Sequence, residues 1–313
     1  MVITLTLNPA LDATIIVEEV HLGALNRIPP IRYDGSGKGI NVATALKLYG
    51  WDDVEAFCVL GGQPGRAIAR ALEERGIACR AFWCEEPTRT NTKIWETRFE
   101  RFTELNEPGP RVPAGLLEQL RVALVEEGHA GDIAVLSGSM PPGVPVSYYA
   151  RLVKELSQRG VRVVLDADGE AFRLGVAERP WMLKPNRFEA EQLFGEPIRT
   201  PEAEMAAALR LRQLGAEIGI VTLGEHGAVF ATPEGSWRVR APRVEVKSAA
   251  GCGDALLAAL LAERSRGRSW KEASVWAVAA ASASATLEGT RFATRAMVDR
   301  LVPRMAAEEE GAA

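Results

Sequence analysis

The sequence predicts a doubly wound α/β fold, a mainly parallel sheet flanked by helices, with a small β-sheet lid. β-branched runs at 2–7, 54–60, 133–137, 161–166 and 218–222 alternate with segments of helical period, the pattern of parallel strands joined by helical crossovers. Two further stretches, 13–20 with 28–33 and then 92–102, read as strands with no helix between them, so they are expected to pair in a second, smaller sheet.

The first strand starts at once, with no basic or long apolar segment before it, so no targeting signal is read and a cytoplasmic location is expected. Ile40, Ala43 and Leu46 form one apolar helical stripe and Ile68 and Leu72 another, while Pro113 and Pro201 stand at first helical turns. The Ala/Ser-rich stretch 273–287 suits a helix packed closely on the sheet and is too short and too polar to cross a bilayer. The acidic tail 306–313 is expected to fray. One domain is expected over 1–313, with lid segments near 13–33 and 86–105 inserted in it.

Composition narrows the function. The 313 residues are 47% hydrophobic and 25% charged, with a mean hydropathy of −0.03, which excludes a disordered or membrane-embedded chain. With 37 Lys+Arg against 41 Asp+Glu the net charge is −4, so no basic field draws in nucleic acid and no membrane partner is expected. Cys58, Cys79, Cys84 and Cys252 contain no CxxC pair, and His21, His129 and His226 are scattered, which leaves neither a zinc motif nor a Ser-His-Asp hydrolase.

What remains is a set of polar clusters. Ser248-Ala249-Ala250-Gly251-Cys252-Gly253-Asp254 runs into an apolar helix, so its backbone N–H groups and positive dipole end suit an anion. Asp254 there either accepts a hydroxyl proton in phosphoryl transfer or simply caps the helix. Cys252 is either small packing or a thiol whose pKa the helix start lowers. The turn at Gly37-Lys38-Gly39-Ile40-Asn41 is neither a P-loop nor GxGxxG, and suits a polyol or phosphate or else a plain turn. Period two places Arg89, Asn91 and Lys93 on one strand face, either to hold a phosphate or to blunt a lid edge. Asp12 either accepts from sugar hydroxyls or caps a turn, and Asn186 with Glu189 either organises magnesium-bound water or forms a helix capping box.

In this combination and order the clusters resemble the PfkB or ribokinase family of carbohydrate kinases over nearly the whole chain. Asn8-Pro9-Ala10-Leu11-Asp12, Thr88 to Lys93, Leu105 to Pro110 and Ser137-Gly138-Ser139-Met140-Pro141-Pro142-Gly143 resemble its branch containing 1-phosphofructokinase and tagatose-6-phosphate kinase. The resemblance implies ATP and Mg2+ as cofactors and a ketohexose phosphate as acceptor: D-fructose 1-phosphate first, tagatose 6-phosphate as the alternative, and a non-catalytic sugar-phosphate-binding regulator as the distant one. It assigns Gly251, Cys252, Gly253 and Asp254 to catalysis, and Asp12, Gly37, Lys38, Asn41, Arg89, Asn91, Lys93, Ser137, Gly138 and Asp254 to the sugar phosphate. Lys184, Asn186, Thr222, Gly224, Gly227, Gly251 and Gly253 fall to the nucleotide, and Asn186 and Glu189 to the metal. Ser248-Ala249 departs from the Asp-Thr that forms part of the ribokinase potassium site, and Cys252 from the usual Ala or Ser. A homodimer through the lid is the expected assembly.

Overall fold

The structure, a computed structural model, describes residues 1–309. The chain begins β1 (Val2–Thr6), β2 (Ala10–Val17), β3 (Arg32–Ser36), α1 (Lys38–Leu48), β4 (Val54–Gly61), α2 (Gly62–Glu74), β5 (Ala78–Cys84), β6 (Arg89–Glu96) and β7 (Arg101–Leu105). There follow α3 (Ala114–Glu127), β8 (Ile133–Ser137), α4 (Tyr148–Gln158), β9 (Arg162–Asp166), α5 (Gly169–Ala177), β10 (Met182–Leu183), α6 (Arg187–Phe194) and α7 (Pro201–Gln213). The chain continues with β11 (Ile218–Thr222), β12 (Ala228–Thr232), β13 (Gly235–Val239), α8 (Cys252–Ser265), α9 (Trp270–Ala285), α10 (Arg295–Leu301) and β14 (Ala307–Glu309).

The main sheet runs β14-β13-β12-β11-β10-β9-β8-β1-β4-β5. It is parallel from β11 to β5 and antiparallel from β11 to β14. Alternation sends Val2, Ala56, Val135 and Val164 to one face, under α1, α8 and α9. Ile3, Phe57, Ala134 and Val163 go to the other, under α3 and α4. Both faces are covered, as the near-continuous apolar strands require. Pro201 occupies the first turn of α7 after the cap Thr200, and Pro113 caps α3.

The second sheet, β3-β2-β6-β7, exists as expected, with shifted boundaries. β3 begins at Arg32 rather than 28, because Pro29 and Pro30 lack the N–H groups a ladder needs. The stretch 92–102 is a hairpin rather than one strand, since the chain reverses at Thr97–Glu100, where Glu100 adopts φ 48°. Three things were not expected: β5 on one edge of the main sheet, the β12–β13 hairpin on the other, and pairing of Ala307–Glu309 with β13 in place of fraying. The rest of the tail, 310–313, lies outside the described residues.

Candidate active site

The C-terminal ends of β1, β8, β9, β10 and β11 converge on a cavity of about 430 Å³ whose lining residues are polar or charged side chains and glycines. This is where ligands bind in an open parallel sheet. Thr6 ends β1 and Asn8 follows it, Gly138 and Ser139 follow β8, Asp166 ends β9, Lys184 and Asn186 follow β10, and Thr222 ends β11. Gly37, Lys38 and Asn41 come from the start of α1, Gly251, Gly253 and Asp254 from the start of α8, and Arg89 from the lid.

The two helix starts are brought in by glycine. A Cβ on Gly39 would lie 2.7 Å from the Leu5 carbonyl, so only glycine lets α1 begin against β1, where Thr6 Oγ1 accepts from Ile40 N at 3.1 Å. Gly251 caps α8 in the left-handed conformation, φ 76°. One turn in, Asp254 is buried and its Oδ2 accepts from Asn41 Nδ2 at 2.8 Å. Burial and the neighbouring Asp166 push the Asp254 carboxyl up to about 6, against the pull of Lys184, Lys38 and Asn41.

Beside Asp254 lies a cluster that the motif reading missed. Asp166, fully buried, stands between Lys38 Nζ at 2.9 Å and Lys184 Nζ at 2.8 Å. Burial raises its pKa, yet Lys184 and Lys38 outweigh burial and hold it below the usual carboxylate range. Lys38 also faces Glu189 Oε1 at 3.8 Å, and although burial lowers its pKa, the carboxylates raise it more. Lys38, expected to hold an acceptor phosphate, lines the cavity and in this structure is paired with these carboxylates. The available signal for Asp166 was its place as the last residue of a strand whose end meets the crevice; Asn8, Ser139 and Asp168 also line the cavity and were not among the assigned residues.

Asn186 and Glu189 form the capping box of α6: Asn186 Oδ1 accepts from Glu189 N at 2.9 Å and Glu189 Oε2 accepts from Asn186 N at 2.8 Å. Both still line the cavity, so capping and a polar ligand role coexist. Burial raises the Glu189 pKa, with Lys38 opposing.

The lid side differs. Lys93 Nζ is paired with Asp12 Oδ2 at 2.7 Å, both buried, and Asn91 Nδ2 donates to Asp12 Oδ1 at 3.3 Å. None of these three is among the residues that line the cavity, and Lys93, expected as a phosphate ligand, is here buried against Asp12. Arg89 does line it. Its Nη1 and Nη2 donate to Glu107 O and Asn8 O, both at 3.0 Å, and its buried Nε has no hydrogen-bond partner among the described residues.

Four other assigned residues sit elsewhere. Ser137 is buried beneath the cavity floor, where its carbonyl accepts from Tyr149 Oη at 2.9 Å. Gly224 and Gly227 belong to a turn closed by Leu223 N donating to Gly227 O at 2.8 Å, outside the cavity that Thr222 reaches. The Cys252 thiol also lies outside it, and burial with the nearby Asp254 raises its pKa to about 11, the reverse of the lowering that the helix start alone suggested.

Comparison with known proteins accords with this arrangement. The family model for pfkB family carbohydrate kinases matches residues 5–297. The chain is 36% identical to the 1-phosphofructokinase of Xanthomonas campestris pv. campestris over 83% of each chain. It is 33% identical to that of Bacillus subtilis, over 97% of this chain and 98% of the relative. Phosphofructokinase-2 from Escherichia coli, solved in complex with potassium, superposes with a TM-score of 0.91 at 27% identity, covering 97% of this chain and 98% of that one.

Proposed function

We propose that this chain, which belongs to the pfkB family of carbohydrate kinases, transfers the γ-phosphoryl group of ATP to a ketohexose that already carries a phosphate, D-fructose 1-phosphate giving fructose 1,6-bisphosphate. The observation that carries this reading is the placement of buried Asp254 at the glycine-rich start of α8, in the cavity that the Asp166–Lys38–Lys184 cluster and Arg89 also line. As an acceptor hydroxyl attacks the γ-phosphorus, Asp254 takes its proton while the bond to the ADP oxygen breaks. The backbone N–H groups at Gly251 and Gly253 and the end of the α8 dipole face the charge that develops on the transferring group. Asn41 holds Asp254 ionised and oriented.

Three carboxylates, Asp166, Glu189 and Asp254, stand against two ammonium groups, Lys38 and Lys184, which leaves a negative balance suited to a divalent cation. Among the described residues no three His, Cys, Asp or Glu form a closed metal cage. Magnesium fits such a site, held by one or two carboxylates, water and nucleotide phosphates, with Glu189 and Asn186 as its neighbours. When bound it neutralises phosphate charge. On the lid side Asp12, outside the cavity lining in this structure, is assigned to orient acceptor hydroxyls once the lid closes on them, and Arg89, whose Nε is unsatisfied, supplies the positive charge for the phosphate already present.

Leu22 and Leu25 of the lid are 92% and 81% exposed, and Tyr33, Phe99, Phe102 and Leu105 are also open. Such an apolar face supports a homodimer closed through the lid. Among the described residues no helix is long and apolar enough to cross a membrane, and a cytoplasmic site of action follows from the substrates proposed.

The test is ADP release with magnesium and ATP across fructose 1-phosphate, fructose 6-phosphate, tagatose 6-phosphate, fructose and ribose, compared as kcat/KM. Fructose 1-phosphate should lead by orders of magnitude. A lead for tagatose 6-phosphate reassigns the acceptor, a lead for an unphosphorylated sugar overturns the role of Arg89, and turnover of none returns the chain to a binding role.

A further inference from the structure

One segment touches both halves of the site and is used by neither so far. Residues 288–292 leave α9 and pass between the lid and the start of α8. At their centre the Thr290 hydroxyl lies 3.2 Å from Asp12 Oδ2 and 3.4 Å from Lys93 Nζ. A hydroxyl has one proton to give and lone pairs to receive, so it donates to the carboxylate and accepts from the ammonium, matching both partners at once. Its methyl carbon points the other way, 3.3 Å from where a Cβ on Gly251 would stand, with the Phe292 ring beside it at 3.0 Å. Gly289 is seated directly under a second lid strand: a Cβ there would fall 1.7 Å from Arg32 Nη2. That guanidinium holds Asp34 at 2.8 Å and the Glu288 carbonyl at 3.3 Å. Thus β2, β3 and β6 of the lid and the capping glycine of α8 all meet one five-residue segment.

We infer that Thr290 is a positioning residue that fixes Asp12, and with it the lid, against the α8 start that carries Asp254. The inference rests on the reading of Asp12 as the group that orients the acceptor. The alignment matters because the hydroxyl and the γ-phosphorus come from different sheets, and small misplacement of reacting atoms costs large factors in rate. Thr290 itself touches no reacting atom; it acts through Asp12 on one side and Gly251 on the other.

The test compares Thr290→Val, which keeps the shape and removes the hydroxyl, with Thr290→Ser, which keeps the hydroxyl. With the best acceptor of the panel, T290V should lose about tenfold or more in kcat, with a smaller rise in acceptor KM and an unchanged KM for ATP, and T290S should recover most of that loss. Hydrogen exchange on the free protein gives a readout that needs no substrate. In T290V the amides of 10–14 and those of 251–255 should lose protection together, and T290S should restore both. A T290V enzyme within twofold of wild type, a T290S variant as impaired as T290V, or exchange changes confined to 288–292 would overturn the inference. If the wild-type chain turns over no acceptor, the reading of function falls, while the paired exchange response still decides whether Thr290 couples the lid to α8.

Discussion

Two lysine–carboxylate clusters, one half-buried and one buried, stand on the main-sheet and lid sides of the site, and they are built to opposite ends. On the main-sheet side Asp166 is shared by Lys38 and Lys184, and Glu189 and Asp254 add two more carboxylates, all facing the cavity. On the lid side Asp12 and Lys93 balance one to one and are held by Asn91 and Thr290, while Arg89 is the lid cation that lines the cavity. The first cluster therefore carries an excess negative charge, while the second presents the Arg89 guanidinium to the cavity. On the function proposed above, that polarity would suit a metal–nucleotide at one end and an acceptor anion at the other.

The sharpest way to break this arrangement is at Asp254. Asp254→Asn keeps the shape and the contact with Asn41 but cannot take a proton, so kcat should fall about 10²- to 10⁴-fold in an ADP-release assay, with KM values little changed. The wild type should also show an acid limb. The Asp254 carboxyl sits near 6, so protonation below that pH removes the base and kcat/KM should drop as pH falls through about 6, then level off above it. The limb should vanish in the Asn variant; a variant retaining most of its turnover would sink the assignment.

Next comes the lid pair, where the readout is folding stability. Lys93→Met strips Asp12 of its ammonium partner in a site where the two side chains are 8% and 3% exposed. Leaving a buried charge unpaired costs about 3–5 kcal/mol, read as a shift in urea unfolding. The double variant Asp12→Asn, Lys93→Met should recover much of it. A loss below about 1 kcal/mol would mean that the pair is hydrated and not the buried, neutral unit contrasted above.

This difference between the clusters also marks how far the sequence could be read. The glycine-rich turns before α1 and α8, the alternating β6 face and the lid were legible because each is a local pattern, spaced by turn chemistry or by strand period. Lys38 and Asp166 are 128 residues apart and Lys93 and Asp12 are 81 apart, so no local pattern could show that two of the three cations counted toward an acceptor phosphate are paired with carboxylates in this structure. Asp166 carries no motif of its own; it matters because β9 ends at the crevice, and crevice position follows from strand order, not strand composition. Thr290 is hidden for the same reason.

Arg89 is where the count of cations can be tested directly. With Lys93 paired with Asp12, removing the guanidinium in Arg89→Met should raise the KM for the phosphorylated acceptor about tenfold or more and leave that for ATP unchanged. Lys93→Met should not imitate this selectivity. If Arg89→Met weakens ATP and acceptor alike, the two ends of the cavity are not electrostatically distinct.

The smallest expected effect concerns Cys252, which sits beside Asp254 and so reports on that boundary. Its thiol makes a long contact to Ser248 O at 3.8 Å and lies outside the cavity. Burial, then the Asp254 carboxylate, raise its pKa to about 11, which leaves very little thiolate at neutral pH. Labelling with iodoacetamide, followed by peptide mass spectrometry, should therefore be much slower at Cys252 than at a free cysteine and indifferent to ATP with magnesium. Fast labelling that nucleotide blocks would place the thiol inside the anion-binding turn. The carboxylates beside it would then be weaker than the negative balance of the main-sheet cluster requires, and the contrast between the two ends of the site would have to rest on Arg89 alone.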